Sequence, residues 1–168
     1  MPSSGAIVLV GPMGVGKTTI GKKLAKRLAM DFVDTDQVIS RQHGPIATIF
    51  QEHGEPFFRQ LEEEAVLQVL PTPTVVATGG GAVLSERTRA ALVQAAVVYL
   101  ATDGKHMTSR LAGGSRPLLK DGISDWRRIY ESRRSLYEQV ADLTIDTSRV
   151  SLKSIVEEIV SGLKPDDR

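Results

Sequence analysis

Cysteine is absent from the 168 residues, which excludes disulfide bonds, thiolate catalysis and cysteine-ligated metal sites. Aromatic residues make up only 5%, and 21 Lys and Arg against 20 Asp and Glu leave a net charge of +1. No overall field attracts nucleic acid or a membrane, so recognition of an anion must be local. The apolar stretch after "MPSSG" is too short for a signal peptide or a membrane span. We therefore expect a cytoplasmic protein without nucleic-acid or membrane partners. We also expect a monomer, although no feature of the composition determines the oligomeric state.

Short apolar runs rich in β-branched residues alternate with helical patterns. The runs are "AIVLVG", "DFVDTD", "TVVATGG" and "AVVYLAT", and the patterns after them predict helices at residues 17–29, 37–43, 86–94 and 105–111. A charged helix at about 125–140, a strand "LTIDT" and an amphipathic helix at 152–163 follow. The alternation is typical of an α/β fold with a buried parallel sheet, and the length fits a single domain over residues 1–168.

Two segments interrupt this alternation. Residues 46–70 read as helical with a break at "HGEP", and residues 113–125, "GGSRPLLKDGISD", read as a loop. In α/β enzymes such insertions commonly bind the substrate or form a lid. Trp126, the only tryptophan, directly follows the loop and either responds to its closure or packs in the core.

The stretch "GPMGVGKT", residues 11–18, fits the pattern G-x-x-x-x-G-K-[ST] between a predicted strand and a predicted helix. Its glycines allow backbone N–H groups to surround an anion, and the helix N-terminus adds partial positive charge. Lys17 can reach the β- and γ-phosphates of a nucleotide, and Thr18 can supply a hydroxyl to Mg²⁺. A glycine-rich turn with a surface lysine is the alternative. The predicted nucleotide-binding residues here are Gly14, Val15, Gly16, Lys17, Thr18 and Thr19.

Two aspartates follow the second predicted strand in "DFVDTDQ". If the chain is still extended there, Asp34 and Asp36 point the same way, toward the crevice at the carboxyl end of a parallel sheet. One carboxylate could then assist the metal while the other takes a proton from a hydroxyl group. Alternatively, either Asp simply caps the following helix.

"GEPFFRQLEEE" places Arg59 and Glu62 at helical i, i+3 spacing, where the carboxylate can orient the guanidinium group. An oriented arginine can bind a carboxylate or a phosphate through bidentate hydrogen bonds. Alternatively, Arg59 and Glu62 form a solvated ion pair on the surface. In "VVATGGGAV", Gly79, Gly80 and Gly81 allow a ligand to approach the backbone closely.

Two more arginines are candidate anion binders. Arg116 lies in the predicted lid loop, where it could swing over a transferring phosphoryl group. Arg133 lies in a helix together with Arg127, Arg128 and Arg134. Most charge runs of this kind are solvated, and we expect this of the other three.

These segments together closely resemble the shikimate kinase family. The motifs "GPMGVGKT", "DTD", "GEPFFRQLE", "TGGGAV", "RPLL" and "RRSLY" occur in the family's order through nearly the whole chain. The resemblance implies a P-loop kinase fold of the nucleoside-monophosphate-kinase type, with a five-stranded parallel sheet flanked by helices. It also implies Mg²⁺, with ATP as co-substrate, and phosphorylation of the 3-hydroxyl of shikimate to shikimate 3-phosphate.

The resemblance also assigns roles to individual residues. It implies that Arg110 lies against adenine, that Arg116 is the lid arginine, and that Asp36, Arg59, Gly79, Gly80, Gly81 and Arg133 bind shikimate. Together with the motifs above, we predict Lys17, Asp36 and Arg116 as catalytic residues and Thr18 and Asp34 as metal-binding residues. The shikimate-binding segment spans about 34–62. A kinase of another polyol acid such as gluconate, and a catalytically silent ligand sensor, remain as alternatives.

Overall fold

The computed structural model describes residues 5–111 and 117–163. Its strands are β1 (Ile7–Val10), β2 (Asp31–Asp34), β3 (Thr74–Ala77), β4 (Ala96–Ala101) and β5 (Leu143–Asp146). They form one sheet in the order β2-β3-β1-β4-β5, and every pairing is parallel. The five-stranded parallel sheet that the family resemblance implied is confirmed.

Helices connect the strands and cover the sheet. They are α1 (Lys17–Leu28), α2 (Thr35–His43), α3 (Ile46–His53), α4 (Glu55–Val69), α5 (Glu86–Ala91), α6 (Met107–Leu111), α7 (Ile123–Val140) and α8 (Leu152–Leu163). Two 3₁₀ turns lie at Ala82–Leu84 and Leu92–Gln94. The predicted helix at 86–94 is therefore α5 followed by a turn, and the predicted helix at 105–111 begins two residues later.

The predicted break in the segment 46–70 is confirmed at Gly54. This glycine has φ 83° and separates α3 from α4, while Pro56 occupies the first turn of α4. A positive φ suits glycine, and proline suits the first turn because that turn needs no N–H donor there. The chain therefore turns sharply, and α2, α3 and α4 pack beside the carboxyl end of β2.

The core lies on both faces of the sheet, because consecutive strand residues point to opposite sides. On one face Val8, Val76 and Val97 pack with Trp126 and Tyr137 of α7. The other face holds a separate set that packs with α1 and α8, namely Leu9, Leu24, Val75, Val98, Leu100 and Ile159. Both faces of the central strands are buried, which explains why their sequences are uninterrupted apolar runs.

No helix in the described part of the chain combines the length and the apolar character that crossing a membrane requires.

Candidate active site

The predicted site residues meet at one edge of the sheet. The phosphate loop follows β1, Asp34 ends β2, and the three glycines follow β3. Because β2, β3 and β1 are parallel neighbours, their carboxyl ends lie side by side. Ligands of open parallel sheets bind in the crevice at this edge.

Two cavities lie at this edge. The phosphate-loop cavity, of about 660 Å³, is lined by Met13, Gly14, Val15, Gly16, Lys17, Thr18, Thr19, Ile20, Asp34, Asp36, Thr78, Gly79, Gly80, Arg110, Thr147, Val150, Leu152 and Ile155. The arginine cavity, of about 200 Å³, is lined by Met13, Asp36, Ile46, Ala47, Phe50, Phe58, Arg59, Glu62, Gly79, Gly80, Gly81, Pro117, Leu118 and Arg133. The two cavities share Met13, Asp36, Gly79 and Gly80, so they adjoin.

The phosphate loop has the backbone shape of an anion site. Gly11, Gly14 and Gly16 have φ of 151°, 79° and 104°, and a Cβ on Gly11 would lie only 2.6 Å from the Leu100 carbonyl oxygen. Gly16 is the N-cap of α1, and no side chain caps its first N–H groups. These donors and the helix N-terminus are available to a phosphate.

Lys17 is buried at the base of this loop, with 8% of its surface exposed. Its ammonium group donates to the carbonyl oxygens of Gly11 at 2.6 Å and Pro12 at 2.9 Å. Burial lowers the pKa of Lys17 to about 8, although the carboxylates of Asp36 and Asp34 oppose this change. Lys17 is therefore not the surface lysine of the alternative interpretation.

Asp34 both caps a helix and contacts Thr18. Its Oδ1 accepts from the backbone N–H groups of Asp36 at 2.9 Å and Gln37 at 3.3 Å, at the start of α2. Its Oδ2 accepts from the Thr18 hydroxyl at 2.5 Å. The alternative of a helix cap is thus correct for Asp34, and the same side chain contacts Thr18, the other predicted metal-binding residue.

The chain is not extended through Asp36, so the condition under which both carboxylates would point the same way is not met. The capping bonds of Asp34 start α2 at Thr35, two residues earlier than predicted, so Asp36 lies in the first helical turn. Asp36 nevertheless lines both cavities. The helix, and not strand alternation, brings the second carboxylate to the site.

Asp36 carries a buried oxygen, Oδ1, that has no hydrogen-bond partner among the residues that the structure describes. Burial raises the pKa of this carboxyl group and Asp34 raises it further, while Lys17 and Arg59 oppose the rise. A buried acceptor without a partner is costly unless a ligand supplies a donor. Its position between the cavities suits a ligand hydroxyl.

Arg59 is held by two carboxylates of its own helix. Nη1 donates to Glu62 at 2.8 Å, and Nε and Nη2 both donate to Glu55 at 3.3 Å. Glu62 is only 2% exposed, and burial raises its pKa while Arg59 opposes the rise. The predicted i, i+3 pair is present, and it is not a solvated surface pair.

The glycines after β3 make room for side chains of the site itself. A Cβ on Gly79 would lie 2.6 Å from Glu62 Oε2 and 2.9 Å from Asp36 Oδ1, and one on Gly81 would overlap the guanidinium group of Arg59. The sequence predicts that these glycines allow a ligand to approach the backbone closely. In this structure the absence of a Cβ first allows the carboxylates and the guanidinium group to converge.

The four arginines of α7 divide as predicted. Arg133 is 6% exposed and lines the arginine cavity, whereas Arg127, Arg128 and Arg134 are exposed. Arg134 pairs with Glu131 at 2.9 Å. The buried position of Arg133 places a second guanidinium group in the cavity that holds Arg59.

Two further arginines were predicted to belong to the site, Arg110 and Arg116, and the structure describes only the first. Arg110 donates to the carbonyl oxygens of Gly14 at 3.1 Å and Val15 at 3.4 Å, and it lines the phosphate-loop cavity. Arg116 lies outside the described residues, as does part of the predicted lid. Pro117 and Leu118, which follow directly, line the arginine cavity.

Sequence reasoning missed Tyr137 as a site residue. Its hydroxyl donates to the Gly80 carbonyl at 2.5 Å, and Trp126 Nε1 donates to the Met13 carbonyl at 2.8 Å. Trp126 also packs in the core, with 2% of its surface exposed. The spacing of Trp126, Tyr130, Arg133 and Tyr137 along one helix face was the available signal.

The fold and this site define a P-loop phosphotransferase. A family model described as "Shikimate kinase" matches residues 13–164. Shikimate kinase from Streptomyces coelicolor is 46% identical over 149 residues, covering 86% of this chain and 87% of that protein. Shikimate kinase from Corynebacterium efficiens is 40% identical over 164 residues, covering 95% and 97%. The chain belongs to the shikimate kinase family.

A solved structure of a family member is also similar to this chain in its three-dimensional fold. Shikimate kinase from Acinetobacter baumannii, in complex with shikimate, superposes with a TM-score of 0.89 at 35% identity. The match covers 96% of this chain and 92% of that one. The whole described fold is therefore that of the family.

Proposed function

We propose that the protein transfers the γ-phosphoryl group of ATP to the 3-hydroxyl of shikimate, giving shikimate 3-phosphate in the aromatic amino-acid (chorismate) pathway. The observation that carries the proposal is the placement of Asp36, whose buried Oδ1 has no partner among the described residues and lies where the two cavities adjoin. A hydroxyl group in the arginine cavity can donate to this oxygen. The named complex of the Acinetobacter baumannii relative supports shikimate as the acceptor.

Charge in the arginine cavity supports a carboxylated acceptor. Arg59 and Arg133 both line it, and Glu62 and Glu55 fix the direction of Arg59. A small ligand that contacts both guanidinium groups is best matched by one that carries a carboxylate, because arginine binds a carboxylate through bidentate hydrogen bonds. Gly79, Gly80 and Gly81, which lie outside the predicted shikimate-binding segment, keep their part of the cavity wall free of side chains.

In the proposed reaction the acceptor oxygen forms a bond to the γ-phosphorus as the bond from that phosphorus to the β,γ-bridging oxygen breaks. Asp36 orients the acceptor hydroxyl and accepts its proton. Lys17 exchanges its contacts with the loop carbonyls for the β- and γ-phosphates, and Arg116 of the predicted lid neutralises charge on the transferring group. Arg110, which lines the same cavity as Val150 and Leu152, contacts the adenine end.

The residues present fit one Mg²⁺ ion. Thr18 and Asp34 offer two adjacent oxygen donors, and Mg²⁺ commonly keeps several waters while taking one or two protein ligands and the phosphates of the substrate. Within residues 5–111 and 117–163, no cluster of three or more His, Cys, Asp or Glu offers another metal site. Bound with ATP, the ion would neutralise phosphate charge.

We further propose that the protein works as a single-domain monomer in the cytoplasm without nucleic-acid or membrane partners. A net charge of +1 supports the absence of polyanionic partners, because it provides no long-range attraction.

An ADP-release assay of the purified chain with shikimate, quinate and gluconate tests the function. We expect rapid release with shikimate and little with the other two, and none above background for Lys17→Ala. Preference for gluconate would contradict the acceptor. If calorimetry shows that ATP and shikimate bind while no ADP is released, the protein is a sensor and the proposal is wrong.

A further inference from the structure

Helix α7 donates two side-chain hydrogen bonds to backbone carbonyls at the active site. Trp126 Nε1 donates to Met13 at 2.8 Å, and the Tyr137 hydroxyl donates to Gly80 at 2.5 Å. The two donors lie about three helical turns apart, and both are buried, with 2% and 1% of their surfaces exposed. Neither side chain lines the phosphate-loop cavity or the arginine cavity.

The two accepting residues belong to the loops that hold the two substrates. Met13 lies in the phosphate loop after β1, and Gly80 lies in the glycine segment after β3. Both residues line both cavities. The loops also touch, because a Cβ on Gly80 would lie 3.3 Å from the Met13 backbone nitrogen.

Phosphoryl transfer depends mainly on positioning and charge, because the protein supplies little covalent chemistry. In the proposed reaction, the separation of these loops sets the distance between the γ-phosphorus and the acceptor oxygen. A displacement of about 1 Å can lower a rate on the order of 100-fold. A rigid helix that holds both carbonyls limits this displacement.

We propose that Trp126 and Tyr137 are positioning residues, which act through the carbonyls of Met13 and Gly80 to keep donor and acceptor at the separation that transfer requires. The inference rests on the proposed function. It predicts loss of turnover at saturating substrate, since each substrate still binds its own loop.

Trp126→Phe is the cleaner variant, because it keeps an aromatic ring and removes the N–H donor. Tyr137→Phe removes only a hydroxyl group, but Arg133 also interacts electrostatically with that hydroxyl. We therefore expect kcat to fall on the order of tenfold in both variants. The KM values should stay within about twofold of wild type in Trp126→Phe, and only the shikimate KM should rise in Tyr137→Phe.

Tyr99→Phe is the matched control. Tyr99 is 2% exposed, stacks on Tyr137 at 5.3 Å, and shares a 2.5 Å hydrogen bond with the Tyr130 hydroxyl. This variant removes a buried hydroxyl of the same aromatic cluster and leaves both loop contacts in place. We expect a lower Tm with kcat close to that of wild type.

The experiment measures kcat, both KM values and Tm for wild type and the three variants. Wild-type turnover of shikimate tests the proposed function separately, so a loss confined to Trp126→Phe and Tyr137→Phe bears on positioning alone. A kcat that falls in all three variants in step with Tm would show a merely structural role. A kcat unchanged in folded Trp126→Phe, or in folded Tyr137→Phe if the first variant does not fold, would overturn the proposal.

Discussion

Arg133 and Arg134 are consecutive in α7, yet Arg133 lines the arginine cavity while Arg134 pairs with Glu131. Replacing Arg133 with Ala should weaken shikimate binding by about 1.5 to 3 kcal/mol, because a buried charge-assisted contact is lost. Arg134→Ala serves as the control and should change binding little. Calorimetry with shikimate measures both, and equal losses would indicate a general effect of helix charge in place of a specific contact.

Asp36→Asn should lower kcat on the order of 10² to 10⁴-fold while ATP still binds, because the variant loses the anionic acceptor and keeps the size of the side chain. Steady-state kinetics and nucleotide calorimetry provide the measurements. A collapse of ATP affinity with shikimate affinity intact would place Asp36 on the nucleotide side.

The same variant should be more stable than wild type at neutral pH. The pKa of Asp36 is raised in the folded protein, so its ionised form destabilises the fold above that pKa, and the penalty disappears below the unfolded value near 3.8. The Tm advantage of Asp36→Asn should therefore narrow as the pH falls through this range. An advantage that is constant with pH would contradict a buried ionised carboxylate.

Lys17 should take up a proton when the protein binds a nucleotide. Burial holds its pKa at about 8, and phosphates stabilise the ammonium form, so the pKa rises on binding. Affinity should then fall as the pH increases above about 8. Calorimetry near this pH in two buffers of different ionisation enthalpy measures the uptake, and Lys17→Met should lack it.

Gly81→Ala should weaken shikimate binding about as much as Arg59→Ala. Gly81 has φ −98° and ψ 5°, which an alanine can adopt, but the added Cβ would overlap the guanidinium group of Arg59. The shikimate KM should therefore rise while the ATP KM changes little, and Tm should fall in both variants because the buried carboxylate of Glu62 loses its partner. The double variant provides the check, because a shared cause predicts that the two effects do not add.

Much of this architecture could be predicted from the sequence, because local patterns set it. The apolar runs predicted the strands, and the glycines with Lys17 and Thr18 predicted the phosphate loop. The i, i+3 spacing predicted the pair of Arg59 and Glu62. Each of these features depends on residues that are near one another in the chain.

The parts that could not be predicted depend on tertiary contacts or on competition between local structures. Asp34 could cap a helix or leave the chain extended, and the choice decided the geometry of Asp36. The fit of Gly81 against Arg59 and the contact of Tyr137 with Gly80 join separate elements of the fold. The spacing of residues in the sequence does not indicate that Tyr137 donates a hydrogen bond to the Gly80 carbonyl.

The strand order also has a consequence for the nascent chain. Ile7 of the central strand β1 pairs with Val75 and with Ala96, so β1 does not have both of its sheet partners until β3 and then β4 have emerged from the ribosome. Such distant parallel pairing forms slowly, because the chain must first close a long loop. The phosphate loop directly follows β1, so it reaches its final shape only after two strands much later in the chain have been made.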